Sequence, residues 1–452
     1  MNFLSTTFIF GLLPIILIFA FFLKGQRTGI KRVLIAFANV IFYLWAGVIP
    51  FLITLSVCII VWLFIKIYEK SKSHAVLNAG IIFLVVYLTA FKVLPVVGKA
   101  GSFNINLPGM LGLSFYTFMG ISLLADIKRG SMTPSFTETF EYLLFFPTVT
   151  SGPIIRYSNF KEGLEADFKR ENFEEGVRLF IVGLAKKILV ADKLSLLADF
   201  YFDGVAAGNS FSTPGLWIGS IAYSLQLYFD FSGYSQMASG IARVLGIKMP
   251  PNFDFPYISS TIREFWKRWH ISLSTWFKDY VYIPLGGSRK GVAGTIRNLA
   301  VVWLLTGLWH GIDLTFVIWG IGYLVLLLIE KFLPPVQRLL KNKIFGHIYT
   351  LFFVNLLWVF FRSDNVYTSL NFIKGMFGIT HAGKLLEVKA VGYIPLLVLG
   401  IVFSIPYEKL LVKLKDKKWF SAVENILLAV LFILSLCAVL NSVYTPYIYG
   451  KF

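Results

Sequence analysis

Apolar residues fall along the 452-residue chain in long blocks separated by short polar stretches, and the blocks recur from one end to the other. A block of about 18 or more such residues can cross a bilayer as a helix. In lipid only helices and closed barrels satisfy their own backbone groups. The pattern predicts helices over residues 3–23, 33–49, 51–67, 76–97, 109–127, 176–199, 214–234, 297–310, 312–332, 346–361, 391–408 and 422–442, some of them re-entrant or in the membrane plane. The first block, "FLSTTFIFGLLPIILIFAFFL", has neither a basic leader nor a small-residue cleavage site. It reads as a retained span rather than a cleaved signal peptide. No solenoid repeat, low-complexity segment or linker interrupts the pattern, so a single integral-membrane domain over residues 1–452 is the simplest reading.

Two stretches are not simple spans. "FFPTVTSGPIIRY" (145–157) places Pro147, Gly152 and Pro153 in an apolar setting. Irregular backbone at membrane depth is tolerated only under protein or beside a water-filled cavity. "LYFDFSGYSQMASG" (227–240) carries Asp230, hydroxyls and two glycines, which suits an interior cavity or a polar contact between helices.

A third period appears in "TIREFWKRWHISLSTWFKDYVYIPLGGSRKG" (261–291). On a helix over 262–278, Ile262, Phe265, Trp266, Trp269, Leu273, Trp276 and Phe277 form an apolar stripe. Arg263, Lys267, His270, Ser274 and Lys278 form a second, cationic one. This predicts an amphipathic helix in the membrane interface. Its cations either snorkel to lipid phosphates or cradle an anionic cofactor such as a nucleotide-bearing thioester. "PLGGSRKG" adds Gly286 and Gly287 beside Ser288, Arg289 and Lys290. Glycine backbone next to cations can hold phosphate, although the P-loop spacing and its strand-to-helix setting are absent.

Composition fits the pattern. The chain is 57% hydrophobic and only 15% charged, whereas soluble domains are nearer about 25% charged. Its net charge of +18 would suggest nucleic acid in a soluble protein. Here Lys and Arg in loops fix topology and meet anionic headgroups of the lipid bilayer, so no nucleic-acid partner is expected. The clusters "KGQRTGIKR", "KSKSH", "IKRG", "EKFLPPVQRLLKNK" and "KLLVKLKDKKW" fall on one side if the spans alternate, the cytoplasmic side by the positive-inside rule. Both termini and the less basic "RSDNVYTSLN" then face outward. Cys58 and Cys437 lie in apolar blocks, make no metal pattern and are not expected to pair.

The candidate chemistry centres on "TGLWHGIDL" (306–314). From Asn298 to His310 is twelve residues, roughly 18 Å of helix at about 1.5 Å each, in a hydrocarbon core of about 30 Å. His310 is thus expected past the midplane, where an ionisable residue is a functional hypothesis by default. The competing reading is a histidine bonded to a neighbouring helix. Gly307 and Gly311 flank it and allow close approach of backbone or substrate. Asp313 either orients the ring or marks the next helix. Burial favours neutral imidazole, which can take a proton from a hydroxyl. His74, His347 and His381 read as bystanders at loops or span ends, and no histidine pair has metal-ligand spacing, so no metal is expected.

Taken together, "LGLSFYTFMGISLLADIKRG", "FFPTVTSGPIIRY", "LQLYFDFSGYSQMASGIARVLGI", "REFWKRWHISLSTWFKDYVYIPLGGSRKG", "LTGLWHG" and the C-terminal "TPYIYGKF" resemble the membrane-bound O-acyltransferases over nearly the whole chain. The branch resembled is the one that acetylates polysaccharides such as alginate, cellulose or peptidoglycan. The resemblance implies an all-α polytopic fold of roughly ten to twelve transmembrane or re-entrant helices around a tunnel. It matches the family's signature histidine to His310 and its second recurrent histidine to His270. Gln236 departs from the acidic residue that relatives often carry after "FSGYS", which withholds any role from a carboxylate there. "DYVYIPLGGSRKG" looks more like the polysaccharide branch than like D-alanyl transfer to teichoic acid, whose proteins tend to lack the glycine-rich loop.

The two lines imply a multi-pass enzyme of the inner or plasma membrane, with acetyl-CoA as donor substrate and no bound cofactor. Arg263, Lys267 and Arg289 are expected at the donor phosphates. His310 is expected as general base for a hydroxyl arriving from the outer side, with His270 positioning the donor. The acceptor is a polysaccharide or an extracytoplasmic partner protein that completes transfer. A covalent acyl-histidine, D-alanyl transfer, and a non-enzymatic transporter or flippase remain the alternatives.

Overall fold

A computed structural model describes residues 3–22, 28–100, 111–149, 151–379, 386–407 and 417–441. His381, the C-terminal "TPYIYGKF", residues 24–27 of the first basic cluster and 409–416 of the last lie outside them. Among the described residues the secondary structure is helical, with no strand. A helix overlaps each of the twelve predicted blocks. Among the described residues seven helices are long and apolar enough to cross a membrane, including Thr28–Ala46, Val48–Ser71, Gly291–His310, Leu314–Phe332 and Lys343–Arg362. The chain is an all-α polytopic membrane protein, and it divides into two compact units: residues 1–183 with 234–250, and 184–233 with 251–452.

In the first unit, Ser135 opens the Phe136–Leu143 helix with a full capping box to Glu138, the arrangement that satisfies two otherwise orphaned N–H groups. The irregular stretch after it is covered by protein: residues 145–149 and 151–155 are buried. Asn39 Oδ1 accepts the Phe146 N–H at 3.0 Å, and Tyr142 donates its hydroxyl to the Ile155 carbonyl at 2.9 Å. Glycine sets the packing nearby. A Cβ on Gly176 would lie 2.6 Å from the Gly240 carbonyl oxygen, so two helix backbones touch there with no side chain between them.

The second unit carries the predicted site. Its core is a run of tryptophans, tyrosines and phenylalanines that includes Phe265, Trp269, Trp319, Tyr323 and Trp358. Gly291–His310 and Leu314–Phe332 form a close antiparallel hairpin. A Cβ on Gly307 would meet the Phe316 carbonyl oxygen at 2.8 Å, and one on Gly320 the Trp303 carbonyl oxygen at 2.7 Å. Gly307 therefore serves helix packing. Gly311 does too, since its Cβ would strike the Phe316 ring at 2.5 Å. The room that the sequence leaves beside His310 is filled by the hairpin itself.

Asp230 settles one open alternative. It is buried, and its Oδ1 lies 2.6 Å from Lys187 Nζ, which also pairs with Asp192 at 2.5 Å. Lys187 sits in a π-helical stretch, Lys186–Ala191. The polar stretch 227–233 thus contributes an ion pair between helices in this unit.

Candidate active site

The predicted amphipathic helix over 262–278 is broken in the middle. Thr261 caps Ile262–Arg268 by accepting the Glu264 N–H. Ile271–Phe277 follows as a second short helix, and Lys278–Tyr282 as a π-turn. His270 stands between the two helices in the left-handed region, φ 45°, a conformation that costs a non-glycine residue energy. Asn252 holds it there. The Asn252 carbonyl accepts the Ile271 N–H at 2.9 Å, and its Oδ1 accepts the Ser272 N–H at 3.2 Å and the Ser272 hydroxyl at 2.9 Å. His270 Nδ1 lies 3.1 Å from the same oxygen.

The break corrects the face assignment. A continuous helix would put His270 on the cationic stripe, but the turn swings it inward to 1% exposure. The apolar stripe is also buried within the protein: Ile262, Phe265, Trp269, Leu273, Trp276 and Phe277 are all covered. Because Asn252 Oδ1 takes a backbone N–H, it is the acceptor for His270 as well. Nδ1 therefore carries the proton and Nε2 the lone pair. Burial pushes the His270 pKa down to about 3, so the ring is neutral at pH 7.

His310 is the last residue of Gly291–His310 and is 3% exposed. Its ring packs against Trp309 at 4.5 Å, Trp319 at 5.0 Å and Phe361 at 5.0 Å. Asp313 is exposed at the start of the next helix, so of its two readings it marks that helix rather than orienting the ring. Trp309 lies between the histidines, 6.2 Å from His270 and 4.5 Å from His310 by ring centroids.

A cavity of about 1210 Å³ opens beside these elements and gathers Arg263, Lys267 and Arg289. Lys278, Lys331 and Lys341 join them in its wall, and Glu330 is the wall's carboxylate. Glu330 is committed to the backbone, accepting the Ile262 N–H at 2.5 Å and the Arg263 N–H at 3.0 Å. Among the described residues none of the six cations is in an ion pair. The rest of the wall is mostly apolar and includes Trp266, Trp303 and Thr306. Thr306 is one turn before His310 on the same helix, roughly 6 Å along its axis. Neither histidine lines the cavity: His270 follows it through its neighbour Ile271, and His310 through Thr306.

Asn252 and Trp309 stand beside these histidines and are not legible as site residues in the sequence. Asn252 acts on a residue 18 positions away, and Trp309 is one aromatic among many.

The profile of the membrane-bound O-acyltransferase family matches residues 38–370. Among curated proteins, the chain is 35% identical over 399 residues to a protein of Pseudomonas syringae pv. tomato named probable alginate O-acetylase, covering 83% of this chain and 75% of that one. It is 33% identical to a peptidoglycan O-acetyltransferase of Helicobacter pylori, covering 82% of this chain and 79% of that one. A teichoic acid D-alanyltransferase of Bacillus subtilis is 29% identical over 58% of this chain and 70% of its own length.

Proposed function

Because the chain belongs to the membrane-bound O-acyltransferase family and is a multi-pass membrane acyltransferase, we propose that it moves an acetyl group from acetyl-CoA to a hydroxyl of an exported or cell-wall polysaccharide. The observation that carries the donor assignment is the cavity. Six cations face one concavity whose carboxylate is already bonded to backbone amides. Such a cluster repels itself unless a polyanion fills it. The phosphates of CoA supply that charge, with Arg263, Lys267 and Arg289 as the donors named by the sequence. The basic loops favour the cytoplasm as the side from which acetyl-CoA enters, and the inner or plasma membrane as the location.

The chemistry follows. The thioester end of the donor passes from the cavity toward His310. The acceptor hydroxyl oxygen attacks the thioester carbonyl carbon while its proton passes to the His310 imidazole, a general-base step. The C–S bond then breaks, the thiolate takes up that proton, and an O-acetyl ester and CoA leave. His270 is neutral and fixed with its lone pair on Nε2, which suits it to position the donor. An extracytoplasmic partner protein is the second class of acceptor, completing transfer to the polymer. D-alanyl transfer is the alternative that the Bacillus subtilis relative favours, but the O-acetylating relatives match over 83% and 82% of the chain against 58%.

Charge reversal tests the donor site. Lys267→Glu should raise the KM for acetyl-CoA about tenfold or more, the worth of a charged hydrogen bond, without changing thermal unfolding of the purified protein. An unchanged KM would assign these cations to lipid headgroups instead.

A further inference from the structure

Six of the eleven tryptophans, Trp266, Trp269, Trp303, Trp309, Trp319 and Trp358, belong to one aromatic cluster around His310. The indole nitrogens of Trp266, Trp269, Trp319 and Trp358 are buried and meet no acceptor among the described residues. An indole N–H can only donate, and native interiors leave few such groups unmatched. Four unmatched donors on neighbouring rings can each take an acceptor oxygen from outside the described residues.

Two of the four link the cavity wall to His310 through ring contacts. Trp266 lines the cavity wall. Its ring is 5.8 Å from that of Trp319. Trp319, fully buried, stands edge-on to His310 at 5.0 Å and 85°. Trp269 and Trp358 pack on each other at 5.1 Å, and neither lines the cavity.

The acetyl-CoA donor argued above, on which this inference rests, carries acceptor oxygens in series: amide carbonyls along its flexible arm, then the thioester carbonyl. We propose that Trp266 and Trp319 bind these oxygens. Trp266 donates its indole N–H to an amide carbonyl of the arm at the cavity wall. Trp319 donates its N–H to the thioester carbonyl beside His310, where negative charge grows on that oxygen as the acceptor hydroxyl adds. The aromatic cluster is then a donor-lined passage as well as a core, and Trp319 supplies an oxyanion contact.

Phenylalanine keeps an aromatic ring at each position and removes only the donor edge. In the reconstituted full-length protein, Trp319→Phe should lower kcat about 100-fold, as loss of one oxyanion donor does, with a smaller change in KM. Trp266→Phe should raise the KM for acetyl-CoA roughly five- to tenfold and leave kcat close to wild type. Trp62→Phe removes an equally buried, unmatched indole N–H in the first unit and should change neither constant. If Trp319→Phe unfolds, the KM of Trp266→Phe decides alone. Wild-type constants in both variants, with an active parent, would mean that water serves these indoles, overturning this inference while the proposed function stands. A parent that releases no CoA from acetyl-CoA would overturn both.

Discussion

A neutral histidine in a left-handed backbone turn is held by the Asn252 side chain, which accepts from His270 Nδ1 and from two groups of Ser272. Its protonation has a defined thermodynamic sign. The folded pKa, about 3, lies below the ordinary 6.5 because burial disfavours the cation. The folded state therefore binds fewer protons than the unfolded one. Its stability is complete above about pH 6.5 and is lost as pH falls from there toward 3, by up to about 1.4 kcal/mol per pH unit from this residue. In thermal unfolding between pH 7.5 and pH 4, His270→Gln should lose less stability on acidification than wild type. Equal losses would place the imidazole in an ordinary environment. With its pKa held at about 3, an acid limb of kcat near pH 6 belongs to a group other than His270. The sequence offers His270 as a candidate, but its orientation is not legible there. The helical period put it on a cationic face, and Asn252, 18 residues upstream, turned it over.

At the scale of elements, the hairpin that ends on His310 depends on backbone contact. Gly307→Ala would place a Cβ 2.8 Å from the Phe316 carbonyl oxygen, which cannot rotate away. The expected cost is about 1–3 kcal/mol, the usual range for overpacking, with a further loss of activity because Thr306 and His310 share that helix. Gly392→Ala is the natural comparison: nothing lies within 4 Å of its added Cβ, and alanine favours helix by about 1 kcal/mol. Comparable unfolding temperatures for the two variants would show that the hairpin yields. The elements themselves were largely legible, because a bilayer forces apolar blocks of helical length. The break at His270 was not, because it is made by a tertiary hydrogen bond that leaves the amphipathic period intact. The glycines beside His310 carried an ambiguous signal, and the structure resolves it toward packing.

For the whole molecule, large apolar side chains stand exposed along the helices, among them Phe22, Val33, Ile344 and Val388. Exposed apolar surface on this scale suits lipid rather than water. Fold class and family were therefore within reach of the sequence, the first from composition and the second from ordered motifs. Arg263, Lys267 and Arg289 come from two basic segments about 20 residues apart and line one cavity. What no period or motif conveys is the set of unmatched indoles around His310, because matching is a property of three-dimensional neighbours. In the proposed function His310 drives acetyl transfer from acetyl-CoA to a hydroxyl. The most direct measurement is the rate of CoA thiol release by purified, reconstituted protein given acetyl-CoA and uronate, glucan or amino-sugar oligosaccharides, with O-acetyl ester counted in the same sample. Wild type should form ester and CoA in equal amounts, and His310→Ala should insert normally yet run at least about 100-fold slower, the worth of a general base. A His310→Ala protein that acetylates at the wild-type rate would contradict the account.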